Sequence, residues 1–404
     1  MKTIIISIAM IIAGSPLLFA QDGNHSQLST SNPQLNGVLS SIEKNNTTLK
    51  ALRETSEAQK LGNRTGISLS GPGMGFNYLW GKPGETGART DLSIKQDFDI
   101  PTLAGMKSRV AGGQNRLVEL QYESGRMKIL LEAKLYCIEL IYCNALRREL
   151  DVRLQHAATI AEGYQSRLDR GDASRLEYNK AQLNLSTVQG EISRIDVERN
   201  TLLSHLKRLN GGIDLALDDD RYGDDPLPAR FDDWFAQAAG KNPALEYARQ
   251  EIELGKRRVS LNKAMNLPVF SAGYMSEKVA GQQYQGLMLG LSVPLWENRH
   301  RVRQARASVA AAESRATDSR RQFHSQLQTL YGRAAGLKVT AGQYRRSLAA
   351  VNNTDLLKKA LDAGEISLLD YILEIALYYD TVNRALAAER DYQKAFAELS
   401  ATEL

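Results

Sequence analysis

LDRGDASRLEY at residues 168–178 and LDAGEISLLDY at residues 361–371 are one statement made twice, 193 residues apart. Six of the eleven positions are identical: Leu168/Leu361, Asp169/Asp362, Gly171/Gly364, Ser174/Ser367, Leu176/Leu369 and Tyr178/Tyr371. Asp172/Glu365 and Glu177/Asp370 keep a carboxylate. Each copy sets a glycine between two helix-like runs. Glycine tolerates left-handed backbone, so each reads as a helix–turn–helix reversal, with Ser174 and Ser367 capping the returning helices. Pro101 and Pro294 are also 193 apart, so 70 residues separate proline from glycine in both halves. Duplication of this kind governs the architecture before any local pattern does. It predicts a rigid ruler used twice.

Around the first copy the sequence is helical over about 103–210, with no proline. Residues 129–146 are apolar on much of the helix circumference, so neighbours cover more than one side. Leu185, Val188, Ile192, Ile195, Leu202, Leu206 and Leu209 follow at coiled-coil spacings. Upstream, residues 66–80 and 90–101 alternate with period two around the turn KPGETG. Leu92, Ile94, Phe98 and Ile100 take one face, Ser93, Lys95, Asp97 and Asp99 the other, which is a strand with one greasy and one wet side. A first helix is expected over 37–62.

Residues 211–240 read as an acidic, proline-bearing connector, after which the programme repeats. NPALEY from Asn242 matches NTTLKALRE from Asn46; strands follow at 268–278 and 284–295, then a helix over about 298–360, the reversal at Gly364, and a return to about 400. The chain thus divides into residues 21–210 and 241–404, with 1–20 ahead of them. Residues 1–20 carry Lys2, an apolar run from Ile4 to Ile12, and Ala20 before Gln21. This is the pattern of a secretory signal peptide. The competing reading, an anchor, needs about 20 apolar residues. No other run reaches that length, so entry into a membrane requires β-structure.

Seventy helical residues span about 105 Å, longer than any single globular domain. Four strands of about ten residues fit an outer membrane when tilted, but four cannot close a barrel, and an open edge cannot face lipid. Other chains must supply strands. Physics therefore reaches a mainly α protein with a transmembrane β portion, an oligomeric β-barrel on a long helical tube. It does not fix the number of copies.

The order of these motifs resembles the TolC-like outer-membrane efflux proteins. IP and VP strand ends, GDASRLEYNKAQLNL, NPAL, VPLWENRHRVRQA and GEISLLDYILEIALYYDTVNRALA carry the resemblance, which covers about residues 40–400. It implies a homotrimer, with four strands per chain in a twelve-stranded barrel in outer-membrane lipid. Two helical hairpins per chain would build a periplasmic α-barrel. It also implies docking to a periplasmic adaptor (a membrane fusion protein) and an inner-membrane transporter, of RND type. Adaptors would contact the tip turns at Gly171, Asp172, Ser174, Gly364, Glu365 and Ser367. Carried over by position, the gate candidates are Glu177, Tyr178, Asp370, Tyr371 and Glu374. Ile366 and Leu373 stand where that family's best-known member places a locking basic residue and an acidic ring. Compact length, short extracellular turns and the absence of a C-terminal extension place the chain nearer the heavy-metal branch than the long secretion ducts.

Other features have plainer readings. Phe76, Tyr78, Trp80, Tyr284 and Trp296 flank the strands and read as an interfacial girdle rather than ligand-stacking rings. Asp218, Asp219, Asp220, Asp224 and Asp225 read as a solvated belt loop in preference to a cation site, since EF-hand spacing is missing. Without Lys2 the 51 Lys and Arg fall to 50 against 46 Asp and Glu, a net charge of +4. That is too mild for nucleic acid. Cys137 and Cys143 lie about 9 Å apart along a helix, too far for a disulfide, and read as buried apolar groups. The five histidines form no metal-spaced pair, and GxSxG, HExxH, P-loop and CxxC are all missing. The sequence therefore predicts a passive duct with no cofactor, no metal and no catalysis. The alternative is a pore-less periplasmic coiled-coil adaptor or scaffold, which has no need of alternating, aromatic-flanked strands.

Overall fold

The computed structural model describes residues 32–404 apart from 69, 83–85, 99–100, 225, 280, 295, 297–298 and 352–353. The expected signal peptide, Ile100 and Asp225 lie outside the described residues. Along the chain run α1 (Pro33–Asn45), α2 (Thr47–Arg64), β1 (Gly73–Leu79), β2 (Arg89–Phe98), α3 (Pro101–Asp169) and α4 (Arg175–Leu209). Then come α5 (Phe231–Lys241), α6 (Pro243–Ala264), β3 (Val269–Val279), β4 (Gln282–Ser292), α7 (Arg301–Ala350), α8 (Thr354–Asp362) and α9 (Leu368–Leu399). A single 3-10 turn, Ala401–Glu403, follows.

Each half begins with a broken helix, and asparagine breaks it. Asn46 closes α1 with extended backbone and then caps α2, its side chain accepting from Leu49 N at 2.8 Å. Asn242 does the same between α5 and α6, accepting from Ala244 N at 2.8 Å. The short Asn side chain replaces a backbone partner at the bend. So the expected helix over 37–62 is two helices, and the connector over 211–240 contains α5, the counterpart of α1.

The strands form one antiparallel sheet in the order β1-β2-β3-β4, with β1 and β4 at its edges. Four helices continue it. α2 leads into β1, β2 into α3, α6 into β3 and β4 into α7, and the pairs α2/α3, α3/α6 and α6/α7 pack side by side. Further from the sheet, α4 packs on α3, and α9 lies between α3 and α7. Apart from α1 and α5, the sheet and the long helices form one layer with an open edge on each side.

α3 runs unbroken for 69 residues, about 105 Å. α4 returns along it with Ala181, Val188, Ile195, Leu202 and Leu209 buried at intervals of seven, a coiled-coil seam. The second half departs from this ruler. α7 stops at Ala350, and α8 resumes at Thr354 for nine residues before the turn. The equal 70-residue spacing is therefore one rod in the first half and two segments in the second.

The largest part of the core sits midway. Leu35, Leu39 and Ile42 of α1 pack on Leu130, Cys137 and Ile141 of α3 and on Leu206 of α4. Phe235 and Ala238 of α5 pack on Leu327 and Leu399. Burial pushes the Cys137 thiol up to about 12 and the Cys143 thiol to about 11, so both are unreactive apolar groups. Among the described residues no helix is long and apolar enough to cross a membrane.

Candidate functional site

The two reversals are built atom for atom alike. At the first, Asp172 N–H donates to Arg167 O (2.8 Å) and Gly171 N–H to Leu168 O (3.0 Å). At the second, Glu365 N–H donates to Ala360 O (2.9 Å) and Gly364 N–H to Leu361 O (3.1 Å). Both are Schellman closures, which require left-handed backbone at the glycine; φ is 81° at Gly171 and 75° at Gly364. Asp172, Ser174, Glu365 and Ser367 are exposed on these turns.

The acidic gate candidates are occupied locally. Ser174 Oγ accepts from Glu177 N (3.2 Å), while Ser174 N donates back to the Glu177 carboxylate (2.8 Å). Asp370 and Ser367 form the same reciprocal box, with Asp370 N donating to Ser367 Oγ at 3.2 Å. The Ser174 backbone N–H and hydroxyl hold the Glu177 carboxyl below the usual carboxylate range. S-x-x-E and S-x-x-D are helix-start signatures, so this role was legible in the sequence.

The tyrosines separate the copies. Tyr178 is partly exposed, with the Arg175 guanidinium 6.0 Å from its ring. Tyr371 is 2 % exposed and packs with Ala161, Tyr164, Ala181, Leu361, Leu368 and Ile375. Of the two tyrosines carried over by position, Tyr371 is thus a wedge between the arms in this structure. Glu374 is exposed beside the α7–α8 break, with Leu377 and Tyr378. Ile366 is partly buried at the edge of the Tyr371 cluster, and Leu373 is exposed.

Eighteen residues before Gly171, Arg153 crosses from α3 to α9. It is 3 % exposed, donates to Asn383 Oδ1 (2.9 Å) and Tyr379 O (3.4 Å), and stacks 4.3 Å over the Tyr379 ring. His156 Nδ1 lies 3.2 Å from Tyr379 Oη. Burial lowers the Arg153 pKa, with nearby Glu149 opposing. Sequence reasoning missed this node, because nothing local distinguishes Arg153 from a solvated arginine.

At the other end, strand register divides the sheet into two faces. Met74, Phe76 and Tyr78 share a face with Leu92, Ile94 and Phe98, then with Phe270, Ala272 and Tyr274, then with Leu287, Leu289 and Leu291. Leu287 and Leu289 are 88 % and 84 % exposed in the single chain. The opposite face carries Arg89, Asp91, Ser93, Lys95, Asp97 and Glu277, with Arg89 Nε 2.9 Å from Asp91 and 3.1 Å from Glu277. Gly273 lies on this wet face, where a Cβ would come within 2.4 Å of Ile94 O. Tyr284 also pairs with Glu277 on the wet face, and its hydroxyl donates to Gln282 Oε1 (2.9 Å). It differs in parity from Leu287, since strand side chains alternate, and so stands on the face opposite Phe76 and Tyr78. Phe76 and Tyr78 lie on the apolar face, and Trp80 follows with its ring 6.1 Å from Tyr78. Phe98 pairs with Phe270 at the helical end, where exposed Trp296 also lies.

The helical layer has two faces as well. α1, α5 and the segment after α4 cover one: Asn144 donates to Leu217 O and Asp219 O, and Arg148 pairs with Asp220. The acidic connector is tied down as a belt. On the uncovered face of the upper layer all four helices line a concavity of about 480 Å³, including Gln114, Tyr247, Arg258, Gln304 and Arg315. This hollow lies on the side of the four helices opposite the belt.

No protein-family model and no curated relative matches this sequence. Solved structures do match along nearly the whole chain. CusC, described for its folding and transmembrane channel formation, aligns with TM-score 0.76 at 12 % identity, over 96 % of this chain and 95 % of that one. A membrane protein from Pseudomonas aeruginosa gives TM-score 0.76 at 14 % identity, over 97 % and 98 %. The Campylobacter jejuni CmeC outer-membrane channel gives 0.71 at 15 % identity, over 98 % and 93 %. At such identities the likeness is one of fold, and the fold of this chain is that of the TolC-like outer-membrane channels.

Proposed function

We propose that the protein is the outer-membrane exit duct of an efflux system, extending through the periplasm and conducting cargo passively. One observation carries the reading. The apolar-faced sheet and the helical layer beneath it share the same lateral order and the same two open edges. A sheet edge in lipid must be paired, so copies close the barrel and the helical tube together. Three copies give twelve strands, the arrangement the resemblance implies. The wet face then lines the pore and the apolar face meets lipid. A pore-less scaffold leaves that apolar face without a role.

The helical tube would dock, through its tip turns, to a periplasmic adaptor serving an RND-type inner-membrane transporter. Opening of the tips is the event that admits cargo, a shift between closed and open populations driven by adaptor contacts. The cargo we assign is a heavy-metal ion or a drug. Reconstitution tests the duct: a cross-linkable trimer with discrete conductance in planar bilayers is expected, and a chain that stays soluble without detergent overturns it. The tolerance of a deletion strain to metals and drugs separates the cargo classes.

A further inference from the structure

Three of the four helices that meet the sheet carry one sign of charge in the turns nearest it, whereas the last eleven residues of α2 mix Glu54 and Glu57 with Lys60 and Arg64. The first eleven residues of α3 and of α7 and the last eleven of α6 hold nine Lys and Arg and no Asp or Glu. Such a bias is not spread evenly over the chain, whose net charge is only +5. Where these side chains point follows from heptad rows. Arg109 belongs to the row that continues through Leu130, Cys137 and Asn144, which face α1 and the belt. Arg306 shares its row with Leu327, and Arg303 shares its row with His324, both packed against α5. Lys263 lies about half a helical turn from Leu254 and Arg258, which line the hollow opposite the belt. All four therefore stand on the belt-bearing side. All four are exposed, and none forms an ion pair with another described residue.

Their height is also fixed. Arg303 and Arg306 are in the first two turns of α7, Lys263 is one residue from the end of α6, and Arg109 lies eight residues into α3. At 1.5 Å per residue each lies within about 12 Å of the helix end that meets the sheet. Immediately above them are Phe98, Phe270 and Trp296, the aromatic margin of the apolar face. A cationic ring directly below an aromatic margin lies at headgroup depth, and long Lys and Arg side chains reach upward from it.

We infer that Arg109, Lys263, Arg303 and Arg306 form a collar that binds the phosphate groups of anionic glycerophospholipid in the membrane leaflet on the helical side. The collar would fix the depth of the barrel and gather acidic lipid around it. Charge complementarity and continuity with the apolar face select this occupant. The inference rests on the duct reading, and the experiment keeps the two apart.

The full chain is inserted into nanodiscs of phosphatidylcholine containing phosphatidylglycerol as a minor component, and the lipid retained on the assembly is counted by native mass spectrometry. Wild type is expected to enrich phosphatidylglycerol about five-fold or more over the bulk ratio, with the excess lost in high salt. The variant R109Q/K263Q/R303Q/R306Q is expected to lose the enrichment while keeping oligomer and conductance. Equal retention by variant and wild type, no enrichment in wild type, or enrichment that ignores salt would overturn the collar and leave the duct standing. Failure of wild type to insert at all would instead remove the duct.

Discussion

The two arms begin from the same eleven-residue motif and end differently. In the first, one 69-residue helix runs straight into the turn, and the residues after it face water: Arg175 is exposed and Tyr178 half-buried. In the second, the descending helix arrives in two pieces, and Leu368 and Tyr371 are each 2 % exposed. Those two side chains insert against Ala161 and Tyr164 of the first arm and Ala181 of its return. Identical turn geometry thus supports an independent rod in one arm and a dependent wedge in the other. Duplication preserved the backbone, and divergence at a few side chains decided which arm leans on which. An arm that is broken and held laterally is the better candidate to swing.

The hardest way to break this asymmetry is to exchange the residues that carry it. Leu368→Arg places copy one's charge inside copy two's contact. Burying an unpaired cation there is expected to cost about 4 kcal/mol and to detach α8 and α9 from α3. Hydrogen exchange would then rise over 354–380 while the midway core stays protected. The reciprocal Arg175→Leu sits on an exposed face and should change stability by less than about 0.5 kcal/mol. Equal effects from the two substitutions would mean that the tips are equivalent.

A smaller break lies at Arg153, which ties the arms together above the tips. Arg153→Ala loses the stacking on Tyr379 and the bonds to Asn383 and Tyr379 O, an expected loss of about 2 kcal/mol. Arg153→Met fills the same volume without a buried charge and should recover most of it. The informative readout is conductance. If the node holds the second arm closed, Arg153→Ala raises open probability and Arg153→Met does so less. Unchanged gating in both confines Arg153 to packing.

What the sequence revealed follows from how local each signal was. The reversals, the coiled-coil seam and the two-faced strands depend on spacing within about twenty residues, and all could be read. Asn46 and Asn242 could also have been read as helix breakers, since capping asparagines have a mechanism as specific as glycine's. The parity that puts Tyr284 on the wet face was available from Leu287, three positions on. The burial of Tyr371 was not. It depends on Tyr164 and Ala161, more than two hundred residues earlier, which no local pattern brings together with it. Arg153 was hidden in the same way, because its partners Tyr379 and Asn383 lie on another arm.

The capping boxes sharpen the comparison further. Ser174→Ala and Ser367→Ala should each cost about 1 kcal/mol. The start of α4 has no wedge to hold it, so Ser174→Ala should speed exchange in that first turn about five-fold. The start of α9 is pinned by Leu368 and Tyr371, and the same loss should emerge there only when the arm opens. Equal exchange at the two starts would count against the wedge.

The smallest effect isolates one charge. The Glu177 carboxylate accepts from Ser174 N and from its hydroxyl, and these bonds depress its pKa in the folded chain. A depressed carboxyl stabilises the fold fully above its unfolded pKa of about 4.3, and the contribution disappears as pH falls through the lower folded value. Between neutral pH and pH 5 the first tip should therefore be insensitive to acid, and below about pH 4 it should begin to fray. Glu177 is only partly buried, so solvent keeps the effect small. Glu177→Gln keeps a side-chain acceptor for the Ser174 amide but removes the titration. Exchange in the first turn of α4, followed from pH 6 to pH 3, should bend upward in wild type and stay level in the variant once the intrinsic pH dependence is removed. A conductance change in Glu177→Gln at neutral pH, where the cap geometry persists, would assign the carboxylate a part in the aperture as well as in the helix start.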